Sequence, residues 1–177
     1  MNFYTSDLHF GHENVIRLCK RPFSCVEEMD EYLIQEWNKV VHRDDRVYIV
    51  GDLIFRSKNP PEFYLNRLKG KKHLIVGNHD ASWMSKADFS KYFETVEKMT
   101  SVNTGKGKAL LCHFPLLDFD EKFLIHGHIH AKAEKLDYWN FLKNADNVLN
   151  AGVDINGYSP VLFEQLFENN IRFKNEH

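Results

Sequence analysis

The chain has 177 residues, of which 43% are hydrophobic and 27% are charged, and its formal net charge is -2. This composition excludes disordered and fibrous proteins. It also disfavours an extended nucleic acid as a partner, because proteins that bind phosphate backbones carry an excess of lysine and arginine. The length fits a single domain over residues 1–177 with a sizeable core.

The three cysteines show no Cys-x-x-Cys spacing, and their number is odd. Neither a disulfide framework nor a thiolate zinc site is therefore expected, and the reducing cytoplasm is the predicted location. No apolar run reaches the length of a membrane span, and no secretion signal opens the chain. The sequence carries no indication of oligomeric state.

Short runs of β-branched and aromatic residues predict six strands, and each run ends in a cluster of Gly, Asp, Asn or His. The predicted strands are Asn2–Ser6, Arg46–Val50, His73–Val76, Ala109–Cys112, Phe123–His126 and Asn147–Ala151. Helix caps and apolar periodicity predict helices between some of them. The first predicted helix covers Val26 to Val40 and is preceded by a Ser24–Glu27 capping box. The second has Asn59 as its cap and Pro60 as its first residue, and it stops near Gly70. The third begins with Ser159 and Pro160 and runs to about Glu168. The alternation favours a layered α/β domain with a mixed sheet.

Metal-binding residue types follow the predicted strands. Residues two apart in a strand share a face, so Asp7 and His9 are predicted to project together, and His128 and His130 repeat that spacing. Sites in layered α/β folds gather where strands end. The candidate residues at strand ends, several of them preceded by a glycine that permits close backbone approach, are Asp7, His9, Asp52, Asn78, His79, Asp80, His113, His128 and His130.

Imidazole and carboxylate donors without thiolates suit two divalent ions, with manganese as the first choice and iron, zinc, nickel or cobalt as alternatives. Seven of these residues are candidate ligands, which are too many for one tetrahedral ion: Asp7, His9, Asp52, Asn78, His113, His128 and His130. If Asp52 bridges two ions, each receives four protein ligands and a shared water still has room. After the aspartates and a bridging hydroxide are counted, about one positive charge remains to attract a phosphate.

The chain resembles the calcineurin-like metallophosphoesterase superfamily. That superfamily shows the ordered blocks D-x-H, G-D, G-N-H-D/E, H and G-H-x-H. The matching residues here are Asp7-Leu8-His9, Gly51-Asp52, Gly77 to Asp80, His113 and Gly127 to His130. Residues 150–166 also resemble the closing strand and helix of small prokaryotic members.

The resemblance implies a β-sandwich of mixed sheets flanked by helices, with two metal ions at one edge. By carry-over, one ion would have the ligands Asp7, His9, Asp52 and His130, and the other would have Asp52, Asn78, His113 and His128. It implies hydrolysis of a phosphodiester or phosphomonoester by a metal-bridging hydroxide, with a small molecule or nucleotide as substrate. His79 would act as general acid towards the leaving group, and Asp80 would orient His79 or its loop, or simply cap a turn.

Several residues keep two interpretations. His12 and Asn14 lie where the first helix begins, so they could contact substrate or serve as a solvated side chain and a helix cap. His126 could support a metal-binding residue or pack in the core, and Trp83 could stack on the base of a bound molecule or line the core. Basic side chains of the first helix, Arg17, Lys20 and Arg21, could reach a phosphate or form a solvated face.

A second class of function also stays open. A retromer subunit built on this fold serves as a protein-binding scaffold and lacks the catalytic histidine. His79 is present here, which favours an enzyme over a scaffold.

Overall fold

The computed structural model describes residues 1–132 and 137–177. Two mixed sheets dominate it. The first has the strand order β4-β3-β2-β1-β9, in which β1 to β4 run parallel and β9 is antiparallel to β1. Its strands are β1 (Asn2–Thr5), β2 (Arg46–Ile49), β3 (Lys71–Ile75), β4 (Phe93–Glu97) and β9 (Val161–Leu162).

The second sheet has the order β5-β6-β7-β8, with β5 antiparallel to β6 and the other neighbours parallel. Its strands are β5 (Met99–Asn103), β6 (Lys108–Cys112), β7 (Phe123–His126) and β8 (Val148–Asn150). The two sheets face each other across a buried apolar layer, to which Tyr4 and Ile75 contribute from one sheet and Leu111 and Ile125 from the other. The prediction of an α/β sandwich of mixed sheets is confirmed.

Helices cover the outer faces. They are α1 (Glu13–Leu18), α2 (Val26–Val40), α3 (Pro61–Leu65), α4 (Ala81–Met84), α5 (Trp139–Asn144) and α6 (Phe163–Glu176). The apolar stripe of α2 buries Met29, Leu33 and Trp37 against the first sheet. In the described ranges, no helix has the length and apolarity that crossing a membrane requires.

Three strands of the structure were missing from the prediction based on the sequence. β4, β5 and β9 were not among the six strands predicted from the residue pattern. All three are edge strands; β4 and β5 carry charged or polar residues, and β9 has only two residues. Charged edge strands lack the apolar run that marks a buried strand. The exposed faces of β4 and β5 therefore explain why their residues did not indicate strands.

The helix boundaries also need correction. The segment after Ser159 and Pro160 begins as β9, which pairs with β1 through Tyr4 and Val161, so α6 starts only at Phe163 and extends to Glu176. The Ser24–Glu27 capping box does not form, because the Ser24 N–H donates to Glu28 Oε2 at 2.7 Å. The helix predicted to open with Pro60 begins one residue later, at Pro61, and ends at Leu65 rather than near Gly70.

Candidate metal centre

The seven predicted ligands meet at the edge of the sandwich where parallel strands end. They lie in the segments that follow β1, β2, β3, β6 and β7, whose carboxyl ends open on one side. Backbone hydrogen bonds join the first two segments: the Asp7 N–H donates to the Gly51 carbonyl at 3.0 Å, and the His9 N–H donates to the Asp52 carbonyl at 3.0 Å. These hydrogen bonds hold the segments that carry the Asp7 and Asp52 carboxylates next to each other.

Left-handed backbone conformations aim five of these side chains. The φ angles are 55° at Asp7, 53° at His9, 56° at Asp52, 71° at His128 and 51° at His130. Non-glycine residues in this region cost about 1 kcal/mol or more each, and such strain concentrates at functional sites. All five lie beyond the ends of their strands, so the prediction that strand alternation aligns Asp7 with His9 was wrong in its reason.

Four ligands, Asp7, His9, Asp52 and His130, form what we call the buried half of the centre. His9 Nε2 lies 3.9 Å from Asp7 Oδ1 and 3.7 Å from Asp52 Oδ2. His130 Nε2 lies 3.8 Å from the same Asp7 oxygen. Donors that share one ion through bonds of about 2.0 to 2.2 Å stand roughly 3 to 3.5 Å apart. The buried half therefore needs only a small contraction to hold a divalent cation.

Asn78, His113 and His128, with the shared Asp52, form the exposed half. Asn78 Oδ1 lies 2.9 Å from His128 Nδ1 and 3.0 Å from His113 Nε2. His113 Nε2 is in turn 3.4 Å from Asp52 Oδ2. Asn78 and His128 are exposed, so this half is the one that a substrate can approach from solvent.

The hydrogen bonding of His113 shows that the donor set fits a cation. His113 Nδ1 donates to the Val50 carbonyl at 2.8 Å, so a neutral ring would turn the lone pair of Nε2 towards the oxygens of Asn78 and Asp52. Three electron-rich atoms repel unless a positive charge lies among them. Burial lowers the pKa of His113, but the hydrogen bond and charge of Asp52 outweigh it and raise the pKa, so the surroundings favour a positive charge at this position. A metal ion would supply that charge.

His79 lies beside the centre and is not one of the seven ligands. Its backbone N–H donates to Asp52 Oδ1 at 2.9 Å, and its Nε2 is 4.0 Å from Asp52 Oδ2. The Phe55 ring packs on the imidazole, with 3.9 Å between the ring centroids. The side chain is 37% exposed. An imidazole that is supported on one face and open to solvent can donate a hydrogen bond to a bound ester.

Asp80 lies beneath the centre, and its side chain holds two loops together. Its carboxylate accepts the backbone N–H groups of Asp52 and Gly77 at 2.9 and 2.8 Å, and it also accepts Trp83 Nε1 at 2.9 Å. Burial raises the pKa of Asp80, and the hydrogen bonds from Gly77 and Trp83 oppose that rise. Of the two sequence-based interpretations, these contacts correspond to orienting the His79 loop. Trp83 is buried in the core against Asp80 and is not positioned to stack on a bound molecule.

Two glycines let the ligand loops approach each other. A Cβ at Gly127 would meet Ser6 Oγ at 1.9 Å and Asp7 Oδ2 at 2.6 Å, and a Cβ at Gly77 would meet Asp52 Oδ1 at 2.3 Å. No side chain fits these distances. Both aspartates are therefore packed directly against backbone.

His12 and Asn14 were predicted to contact substrate. His12 lies next to the centre: its ring centroid is 5.5 Å from that of His9 and 4.8 Å from that of Phe55. Burial and the neighbouring charge of His79 lower the pKa of His12 to about 4. Asn14 is exposed in the first turn of α1 and makes no cap hydrogen bond there. Substrate contact by either residue stays a prediction.

Two supporting residues were missed or misread in the sequence. Asp154 accepts His130 Nδ1 at 2.7 Å and pairs with Arg21 Nε at 2.8 Å. Arg21 is only 4% exposed, so neither a phosphate contact nor a solvated face describes it. Asp154 follows β8 as the predicted ligands follow their strands, and that position was the available signal.

His126 supports the ligand loop from inside the core. It is 2% exposed, and its Nδ1 donates to the Gly127 carbonyl at 2.8 Å. Burial lowers the pKa of His126 to about 4, so the ring is neutral near pH 7. Its contacts are those of a packed support rather than a ligand.

Comparison with known proteins gives a family match over nearly the whole chain. The family model described as calcineurin-like phosphoesterase matches residues 3–171. This range contains every predicted ligand, together with Asp154 and Arg21.

Relatives with similar sequences come from an archaeon and a phage. An uncharacterised protein of Methanocaldococcus jannaschii is 38% identical over 166 residues, covering 90% of this chain and 85% of its own length. The Gene 66 protein of Mycobacterium phage L5 is 32% identical over 160 residues, covering 73% of this chain and 77% of its own length. Among solved structures, a protein of unknown function from Aquifex aeolicus has a TM-score of 0.70 at 26% identity and covers 91% of this chain and 94% of its own.

Proposed function

The chain belongs to the calcineurin-like phosphoesterase family, and from that premise we propose that it hydrolyses a phosphodiester or phosphomonoester with two divalent metal ions. One observation carries the proposal. Asp52 Oδ2 lies within 4.0 Å of imidazole nitrogens from three other segments, those of His9, His79 and His113. A carboxylate so placed is suited to bridge two ions while a proton donor stands beside them.

The two halves of the centre divide the proposed ligands. The buried half would hold one ion through Asp7, His9, Asp52 and His130, and the exposed half would hold the other through Asp52, Asn78, His113 and His128. When bound, the ions would supply an activated water and neutralise charge on the phosphoryl oxygens. Manganese is our first choice, and iron, zinc, nickel and cobalt bind the same donor types.

His79 is the proposed proton donor. Its backbone is fixed by Asp52 and its ring by Phe55, which leaves the imidazole free to hydrogen-bond the departing oxygen. Asp80 is a positioning residue in this scheme, because its carboxylate contacts only backbone N–H groups and Trp83 among the described residues.

A metal-reconstitution assay tests the proposal. Protein stripped with EDTA is expected to lose hydrolysis of bis-p-nitrophenyl phosphate and to regain it with Mn²⁺. Asp44→Asn, at an exposed position before β2, serves as an active control for handling and folding. Absence of turnover with manganese, iron, zinc, nickel and cobalt alike would contradict the phosphoesterase and favour a protein-binding scaffold.

The proposed substrate is a small phosphate ester or a nucleotide. Phe114 supports the nucleotide: it is 44% exposed, and its ring centroid lies 4.8 Å from that of His128 in the exposed half. An exposed aromatic ring beside a phosphate-binding centre offers a stacking surface for a base. The net charge of -2 still disfavours an extended nucleic acid.

The proposed location is the cytoplasm. The three cysteines are free, which supports a reducing compartment.

Phe114→Ala is expected to separate base recognition from phosphate recognition. Stacking of one base contributes about 1 to 3 kcal/mol, so inhibition by a nucleoside monophosphate should weaken roughly tenfold. Inhibition by inorganic phosphate should not change. The measurement is the inhibition constant of each against bis-p-nitrophenyl phosphate turnover. Phe63→Ala, at a similarly exposed ring on α3, is the matched control, and equal weakening of both inhibitors would remove Phe114 from base recognition.

A further inference from the structure

A buried ion pair stands directly behind His130. Asp154 Oδ1 accepts Arg21 Nε at 2.8 Å, and Asp154 Oδ2 accepts His130 Nδ1 at 2.7 Å and Arg21 Nη2 at 3.3 Å. The Arg21 side chain is 0% exposed and that of Asp154 is 2% exposed. The hydrogen bond from Nδ1 leaves His130 Nε2 directed at Asp7.

The same guanidinium also holds the first ligand loop. Arg21 Nη1 donates to the Leu8 carbonyl at 2.9 Å, and Nη2 donates to the Asp7 carbonyl at 2.7 Å. These carbonyls belong to the strained backbone between Asp7 and His9. One arginine thus connects the loop that carries Asp7 and His9 with the residue that orients His130.

We propose that Arg21 and Asp154 are positioning residues that set the geometry of the buried half and hence its affinity for a divalent ion. A partner on the far nitrogen fixes the ring orientation and tautomer of a metal-binding histidine, and its loss typically weakens metal binding about 10- to 100-fold. Among the described residues, the exposed half makes no hydrogen bond or ion pair with Arg21 or Asp154. It keeps its own support, the hydrogen bond from His113 Nδ1 to the Val50 carbonyl. The inference rests on the proposed metal binding but not on hydrolysis.

Cys19 offers a competing account, since its sulfur, His130 and Asp154 form a cluster that could itself hold an ion. The hydrogen bonds argue against it. Both oxygens of Asp154 already accept partners, and His130 uses Nδ1 on that side. A ligand role for Asp154 would require breaking the ion pair with Arg21, whose buried charge would then lack its partner.

Calorimetric titration of the metal-free protein with Mn²⁺ alone tests the proposal. Wild-type protein is expected to show two binding steps, and His128→Ala identifies the step of the exposed half by removing it. Asp154→Asn should weaken the remaining step about 10- to 100-fold and leave the step of the exposed half unchanged. A general structural defect would instead weaken both steps together.

Three further variants keep the proposal falsifiable. Arg21→Lys retains the charge, but its single ammonium nitrogen cannot replace the four hydrogen bonds that the guanidinium makes to Asp154, Asp7 and Leu8. It should therefore weaken the same step even if Asp154→Asn fails to fold. Asp44→Asn should bind as wild type does. Cys19→Ser should also leave both steps unchanged, and loss of a step in that variant would overturn the positioning role in favour of the cysteine cluster. Wild-type affinity at both steps in Asp154→Asn and Arg21→Lys would overturn it as well.

Discussion

Asp52→Asn is expected to lower turnover roughly 1,000-fold and to leave the protein unable to retain two metal ions. Asparagine keeps the shape and can still accept the His79 N–H, but it loses the negative charge that lies 3.4 Å from His113 Nε2 and 3.7 Å from His9 Nε2. We expect the loss of this charge to remove about 4 kcal/mol of transition-state stabilisation. Because each 1.4 kcal/mol changes the rate about tenfold, the rate should fall roughly 1,000-fold.

The measurements are metal content by elemental analysis after gel filtration and kcat for bis-p-nitrophenyl phosphate. The melting temperature in EDTA should stay close to that of wild type, because the backbone N–H groups of Asp52 and Leu53 still donate to the Asp80 carboxylate. Asp44→Asn controls for loss of one surface carboxylate. Two tightly held Mn²⁺ ions in Asp52→Asn, with turnover preserved, would show that this carboxylate is not the bridge.

The amino-acid sequence predicted which segments carry the centre because each cluster follows an apolar strand, and parallel strands present their ends on one edge. It did not reveal how the side chains are aimed. Asp7 and His9 were placed on one face by strand alternation, yet both adopt positive φ. Asp and His adopt positive φ more often than most other non-glycine residues, but residue type alone does not place that conformation at a given position. Here it accompanies the hydrogen bonds from the Asp7 N–H to Gly51 and from the His9 N–H to Asp52, which depend on a distant segment of the chain.

Arg21 and Asp154 show what local patterns leave out. Arg21 lies between Lys20 and Pro22, just after the short helix α1, and the local sequence does not determine whether such a side chain turns outward or inward. Its burial depends on Asp154, which is 133 residues further along the chain. A contact of that separation has no local signature, although a charge that follows a strand, as Asp154 follows β8, is a reason to look for one.

Two of the three strands that escaped prediction, β4 and β5, are those with the least burial. β5 alternates between exposed and half-buried residues, and β4 has charged residues at Glu94 and Glu97. Edge strands commonly carry such charges because they discourage pairing with other chains. The central strands, which position the centre, have the apolar runs that made them predictable.

His79→Ala is expected to keep both metal ions and to lose most turnover of esters with alkoxide leaving groups. The imidazole is outside the seven ligands, and the backbone N–H that binds Asp52 Oδ1 remains in alanine. General acid catalysis contributes about 100- to 10,000-fold, so kcat for an alkyl phosphodiester should fall by that factor. Metal content and kcat are the two measurements.

The leaving group separates proton donation from other roles of His79. A p-nitrophenolate departs without needing a proton, so kcat for bis-p-nitrophenyl phosphate should fall much less than kcat for the alkyl ester. His42→Ala, at a side chain that is 76% exposed, should change neither. Equal losses with both esters would mean that the ring acts by holding the Asp52 carboxylate or the substrate in place, because only proton donation depends on the basicity of the departing oxygen.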